Sequence, residues 1–106
     1  MFCPLIVILT FGRHQLHLVE AELSSYEGKN KKAKASYAAA ITSARSSGFI
    51  HEQGLACELA GLHYKKISDH GSALTFLNDA KRCYAEWGSQ MKVDSIDRRL
   101  ESFQTI

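Results

Sequence analysis

Alanines at positions 33 and 40 bracket Tyr37, and alanines at positions 73 and 80 bracket Leu77; the second triplet follows the first by 40 residues (73 − 33). Spacings of three and four put the members of each triplet on one helix face. Small residues on that face let two helix backbones approach closely, while the large residue fills the space alongside. Recurrence at a fixed offset is the mark of a helix–turn–helix repeat, in which each unit buries its apolar face against a neighbour. Gly28 stands five residues before Ala33, and Gly61 and Tyr64 precede Ala73.

The periodicity predicts five helices. The first runs from about Arg13 to Glu27, with Leu16, Val19, Leu23 and Tyr26 as its apolar face and Gly28 as its cap. The second, from about Lys31 to Ser47, carries Ala33, Ser36, Tyr37, Ala40, Ile41 and Ala44 and closes at Gly48; Phe49 and Ile50 then pack into the corner. A third begins near His51 or Glu52, with a wide face of Leu55, Leu59, Leu62, Ala56, Ala60 and Tyr64. Ser68 to Gly71 is the next turn, where Ser68 or Asp69 serves as N-cap. The fourth helix holds Ala73, Phe76, Leu77, Ala80, Tyr84 and Trp87 and ends at Gly88. Ser89 caps the fifth, about Gln90 to Phe103, which sets Val93, Ile96, Leu100 and Phe103 against a polar face of Lys92, Asp94, Asp97, Arg98, Arg99 and Glu101. Such a polar face suits a helix that caps a stack. The turns are short, so consecutive helices are antiparallel neighbours. The fold class is therefore all-α, built from antiparallel helix–turn–helix repeats.

At 106 residues the chain makes one domain, here residues 13–106, preceded by an apolar segment at 1–12. That segment is too short to span a bilayer and lacks the basic start and small-residue cleavage site of a signal peptide. It reads as the stump of an upstream element, and its Leu5, Ile6 and Ile8 would give the isolated chain a tendency to self-associate. A net charge of +2 is too small to argue for nucleic acid or an anionic membrane as partner. Cys3, Cys57 and Cys83 are an odd, widely spaced set without a C-x-x-C pair, which fits reduced thiols in the cytoplasm.

Gly61 and Tyr64, followed by Ala73, Leu77 and Ala80, resemble the tetratricopeptide repeat (TPR), in which a small residue and an aromatic on one helix meet a small–large–small set on the next. In the earlier unit Ala21 takes the small position before Ala33, Tyr37 and Ala40; Ser24 stands where the aromatic would be, with Tyr26 as its compensation. The 40-residue offset exceeds the usual period and implies a divergent, TPR-like α-solenoid with longer helices. The runs Leu18–Leu23, Ser47–Glu52, Cys57–Ala60 and Tyr84–Val93 further resemble the helical-repeat region of large serine/threonine and hybrid histidine kinases that also carry an AAA-type ATPase and a GAF sensor. Gly54 departs from that pattern, which prefers Ala. The resemblance covers about three quarters of the chain (Leu18 to Val93) and implies a fragment or relative of such a signalling protein. An alternative is a fragment of an ATP-binding kinase whose catalytic domains lie outside this chain.

The residues themselves carry no kinase motif, phosphate loop or familiar metal-ligand spacing, so no cofactor, metal or catalytic residue is assigned. His14 and His17 share a helix face at i, i+3 without a carboxylate or Cys in a ligand pattern; His51 more simply orders a helix corner. Cys57 and Cys83 read as small core residues. Lys29, Asn30, Lys31, Lys32 and Lys34 make a basic turn that reads as solvated, and Trp87 is in register to pack. The expected role is a non-catalytic scaffold for a protein or peptide partner or an adjacent domain. The groove lined by the first helix of each unit offers Glu22, Ser25, Glu58, Leu62, Lys65 and Lys66 as candidate contacts.

Overall fold

The structure, a computed structural model, describes residues 13–102. Among these, five α-helices follow one another: α1 Arg13–Tyr26, α2 Asn30–Ser47, α3 Ile50–Lys66, α4 His70–Trp87 and α5 Gln90–Glu101. None is long and apolar enough to cross a membrane. The apolar segment at 1–12, with Cys3, Leu5, Ile6 and Ile8, lies outside the described residues, as does Phe103.

All four turns are built alike. At the end of α2 the Gly48 N–H donates to the Arg45 carbonyl and the Phe49 N–H to the Ala44 carbonyl. These two bonds satisfy carbonyls that a helix end would leave orphaned, and they require a left-handed residue after the helix. The pattern recurs with Gly88 and Ser89 after α4, with Gly28 and Lys29 after α1, and with Ser68 and Asp69 after α3. Gly28, Gly48 and Gly88 take the left-handed conformation at φ 78°, 77° and 95°, and Ser68 takes it at 65°. Gly28 and Ser68, like Gly48 and Gly88, stand 40 positions apart (68 − 28, 88 − 48). The repeat therefore extends to backbone geometry.

Helices pack as two hairpins, α1 on α2 and α3 on α4, joined where α2 meets α3; α5 lies against α4, and α1 also touches α3. The core is made largely of the repeating triplets. Ala33, Ala40, Ala73, Leu77 and Ala80 are fully buried and Tyr37 nearly so. Gly61 sits opposite the second triplet: a Cβ built there would come 2.8 Å from Leu77 Cγ and 3.2 Å from the Ala73 carbonyl oxygen. Gly54 is likewise pressed against Tyr84, whose Cε1 would lie 2.9 Å from an added Cβ. Tyr84 and Cys83 leave no room there for a Cβ, which accounts for glycine at position 54. Val93 and Ile96 of α5 are buried and Leu100 packs against the same core.

Several expectations from periodicity need correction. The buried face of α1 is not Leu16, Val19, Leu23 and Tyr26: Leu23 is 57% exposed and Tyr26 87%. Ala21, Ser24 and Ser25 are buried instead, where α1 packs along α2 and, at Ser25, against His63 and Lys66 of α3. Tyr26 therefore does not compensate for Ser24. In the second unit Tyr64 stacks on Phe76 at 5.1 Å, and 40 residues earlier those positions are Ser24 and Ser36. Both members of the pair are small in one unit and aromatic in the other, so each hairpin is matched within itself.

On α3 the inward positions include Ala56, Cys57, Ala60 and Gly61, while Leu55 is 39% exposed. That helix starts at Ile50, and Phe49 is its half-exposed N-cap rather than a corner plug. Gly71 belongs to the first turn of α4, and Asp69 is the N-cap, accepting from the Ser72 N–H at 3.3 Å. Trp87 is half exposed, stacked on His51 at 4.9 Å.

Candidate functional site

Because α1 and α3 are the first helices of successive hairpins, their flanks meet side by side and leave a trough between them. Its polar end is a cleft of about 250 Å³ lined by Glu22, Ser25 and Tyr26 from α1, Tyr37 from α2, and Leu59, Leu62, His63 and Lys66 from α3. A second cleft, of about 330 Å³, is lined by Gln15, Leu18, Val19, Glu22 and Leu59, so the trough continues along the seam as a mainly apolar strip. Beside that strip Gln15 donates to Glu52 at 2.6 Å, linking the two helices.

Four of the six candidate groove residues come together here: Glu22, Ser25, Leu62 and Lys66. Glu58 and Lys65 do not. Each is displaced around α3 toward the α5 side. Glu58 is buried and accepts from the Tyr84 hydroxyl at 2.9 Å and from Arg99 Nε at 3.1 Å. Lys65 donates to Ser102 at 2.9 Å. These contacts tie α3 to α4 and α5. Burial and the neighbouring Glu58 carboxylate push the Tyr84 hydroxyl well above the ordinary phenol range.

His63 is absent from the groove residues expected from sequence, yet it lines the cleft and is 2% exposed. Its Nδ1 lies 2.7 Å from Ser25 Oγ. Lys66 reaches across from α3 and donates to the Ser25 carbonyl at 2.7 Å and to Ser25 Oγ at 3.3 Å. The ammonium thereby sits on the last turn of α1, where helix carbonyls favour a positive charge. The Ser25 hydroxyl thus joins Lys66 and the His63 ring in one polar cluster between α1 and α3. Nε2 is buried and has no hydrogen-bond partner among the described residues. Burial first, then Lys66 and Lys34, hold the His63 pKa below its usual 6.5, so the ring is neutral at pH 7. The Tyr37 ring stands 5.6 Å from it, and the Tyr37 hydroxyl is raised by burial and by Glu22 beside it. The signal that could have identified His63 is its place in the repeat: it is the residue 40 after Leu23, on the α3 face turned back toward α1.

Ser25 and His63 form a hydroxyl and a base in contact, 38 positions apart. Acyl transfer would require a group that orients the imidazole through its second nitrogen, together with donors for an oxyanion. Here that second nitrogen has no partner among the described residues, and the contacts of Ser25 with His63 and Lys66 join α1 to α3. The remaining sequence candidates lie elsewhere. His51 orders the corner between Trp87 and Phe49. Cys57 and Cys83 are buried free thiols, and burial pushes Cys57 up to about 12. In the basic turn Lys29 pairs with Glu27 at 3.6 Å, and Lys34 lies 5.3 Å over the Tyr64 ring. No group of three metal-capable side chains occurs among the described residues; of His14 the structure describes no side-chain placement. The chain matches no family model, no curated protein and no solved structure.

Proposed function

We propose that the chain is a non-catalytic, TPR-like repeat module that seats an extended segment of a partner protein, or of a neighbouring domain, in the trough between α1 and α3. The observation that carries this reading is the trough itself. It runs along the first helices of two successive repeat units, and it joins an apolar strip to a polar end. Residue types so mixed suit a peptide, whose side chains and backbone ask for both. The resemblance to the repeat regions of large signalling kinases supports the same role, with chemistry supplied by other domains. The free, buried thiols accord with a cytoplasmic setting.

A display library of extended peptides, screened against the full 106-residue chain, tests the proposal. Selected peptides should lose binding when Leu62 is replaced by Arg, and keep it when Arg82, on the exposed face of α4, becomes Ala. Peptides that ignore Leu62→Arg would place the partner elsewhere. Hydrolysis of an activated ester by the purified chain, abolished by Ser25→Ala, would overturn the non-catalytic assignment.

A further inference from the structure

The face of α1 that carries Leu16, Val19, Leu23 and Tyr26 is apolar yet turned away from the core: Val19 is 36% exposed, Leu23 57% and Tyr26 87%. The repeat shows what occupies such a face elsewhere in the molecule. Forty positions on, the same face of α3 carries Ala56, Leu59, His63 and Lys66. There it meets the hairpin that comes before it. His63 lies 2.7 Å from Ser25 of α1 and 5.6 Å, ring to ring, from Tyr37 of α2, and Lys66 donates to the Ser25 carbonyl. Ala56 and His63 are 2% exposed in that contact. The opposite flanks correspond as well. Glu58 and Lys65 of α3 reach forward to α5, and 40 positions earlier Leu18 and Ser25 lie on the side of α1 next to α3. Helix α1 thus has its hairpin partner and its forward neighbour, and the open face is the one that in α3 receives the preceding hairpin.

We propose that this face of α1 is a docking surface for an apolar α-helix of a partner protein, seated there as α2 is seated on α3. The chemistry of that helix follows from the two positions that differ most between the units. Where α3 offers a histidine and an ammonium, answered by the hydroxyl and carbonyl of Ser25, α1 offers Leu23 and Tyr26. A polar group buried against Leu23 would lose its water and find no partner, so the covering helix presents aliphatic or aromatic side chains. The opposite end of the stack is different. The forward side of α5, 40 positions after Glu58, is Arg98, flanked by Asp94 and Glu101, and all three are exposed. A charged surface of this kind closes a stack, so copies of the chain do not continue it end to end. Leu16 and Leu23 line neither cleft of the trough, with Val19 and Tyr26 on the shared rim. The surface is therefore a second one, beside the partner seat between α1 and α3.

The test screens a display library of helical peptides, with one stripe varied over polar and apolar residues, against the full 106-residue chain. Selected peptides should be apolar along that stripe at three- and four-residue spacing. Leu23→Lys sets a charge into the contact and should weaken them at least about tenfold. The pair Leu23→His with Tyr26→Lys, which rebuilds on α1 the polar residues of α3, should do the same. Leu62→Arg, in the trough, should leave them unchanged. Leu23 and Tyr26 are exposed, so these variants keep the fold, which far-ultraviolet circular dichroism checks. Several outcomes overturn the inference. Selection of no helix, or of helices indifferent to Leu23→Lys, would remove the docking surface. Self-association in sedimentation, abolished by Leu23→Lys, would make a second copy the occupant. Nuclear Overhauser contacts between Leu23 and residues 1–12 in the monomer would make that segment the cover. The partner-seat reading is tested with extended peptides and Leu62→Arg, so either can fail alone.

Discussion

Gly61 shows how one absent side chain sets a helix–helix distance. Leu77 Cγ and the Ala73 carbonyl occupy the volume a Cβ would need, so Gly61→Ala should destabilise the domain by about 1–3 kcal/mol through overpacking, despite the better helix propensity of alanine. Urea denaturation measures it, and a neutral result would mean that α3 and α4 part more easily than their packing indicates. His63 makes a different kind of prediction. Its folded-state pKa is depressed, so the unfolded chain binds the proton more readily. The stability it contributes is full above the unfolded value of 6.5 and is lost as pH falls through the lower folded value. The urea midpoint should therefore drop on acidification from pH 7 toward 5, and His63→Phe should flatten that slope whatever it does to the midpoint at pH 7. An unchanged slope would show that other groups carry the acid sensitivity.

At the scale of elements, the repeat lets each unit serve as a control for the other. The turn after α1 has glycine in its left-handed position but Lys29 at the N-cap of α2, with no side-chain cap bond. The turn after α3 has the reverse: Asp69 caps α4, while Ser68 is forced to φ 65°. Exchanging the better half of each should stabilise both. Lys29→Asp supplies a carboxylate to the open N–H groups of α2 and should add about 0.5–1 kcal/mol; the exposed pair it removes, Lys29 with Glu27, contributes little. Ser68→Gly relieves a Cβ in the left-handed region, worth roughly 1–2 kcal/mol per residue, less the entropy glycine gains in the unfolded chain. Thermal melts of the two single variants and the double variant should show increments that nearly add, since the turns are separate. A loss of stability from Ser68→Gly would indicate that the serine side chain does more there than tolerate the angle.

For the whole molecule, stability should be graded along the stack. Helices α3 and α4 form the most extensive pairing, and α3 is flanked by α1 and α2 on one side and tied through Glu58 to α5 on the other. Terminal helices have neighbours on one side only, and in a linear stack such elements open first. Native-state hydrogen exchange should find the slowest amides in α3 and α4 and the fastest in α1 and α5. Equal protection in all five would mean that the chain unfolds as one unit with no local opening.

The sequence by itself determined the helices, their approximate ends and the 40-residue repeat, because these rest on local rules. Alanine and glycine spacing is read within one turn of helix, and the left-handed glycines mark where each helix must stop. Gly61 and the buried thiols of Cys57 and Cys83 were legible for the same reason: small residues in an apolar register have few other places to go. Periodicity could not say which of two competing faces turns inward. On α1 the larger apolar set, Val19, Leu23 and Tyr26, lost to Ala21, Ser24 and Ser25, small side chains that let α1 lie against α2 and α3. The same limit divided the candidate groove. Glu22, Ser25, Leu62 and Lys66 share the trough, while Glu58 and Lys65 sit about a third of a turn away around α3, toward α5. His63 stayed hidden because its meaning depends on Ser25, 38 positions earlier, and on the absence of any partner for its second nitrogen. Only the packing of two helices distant in the chain decides such a pairing, since it is a property of the space between them.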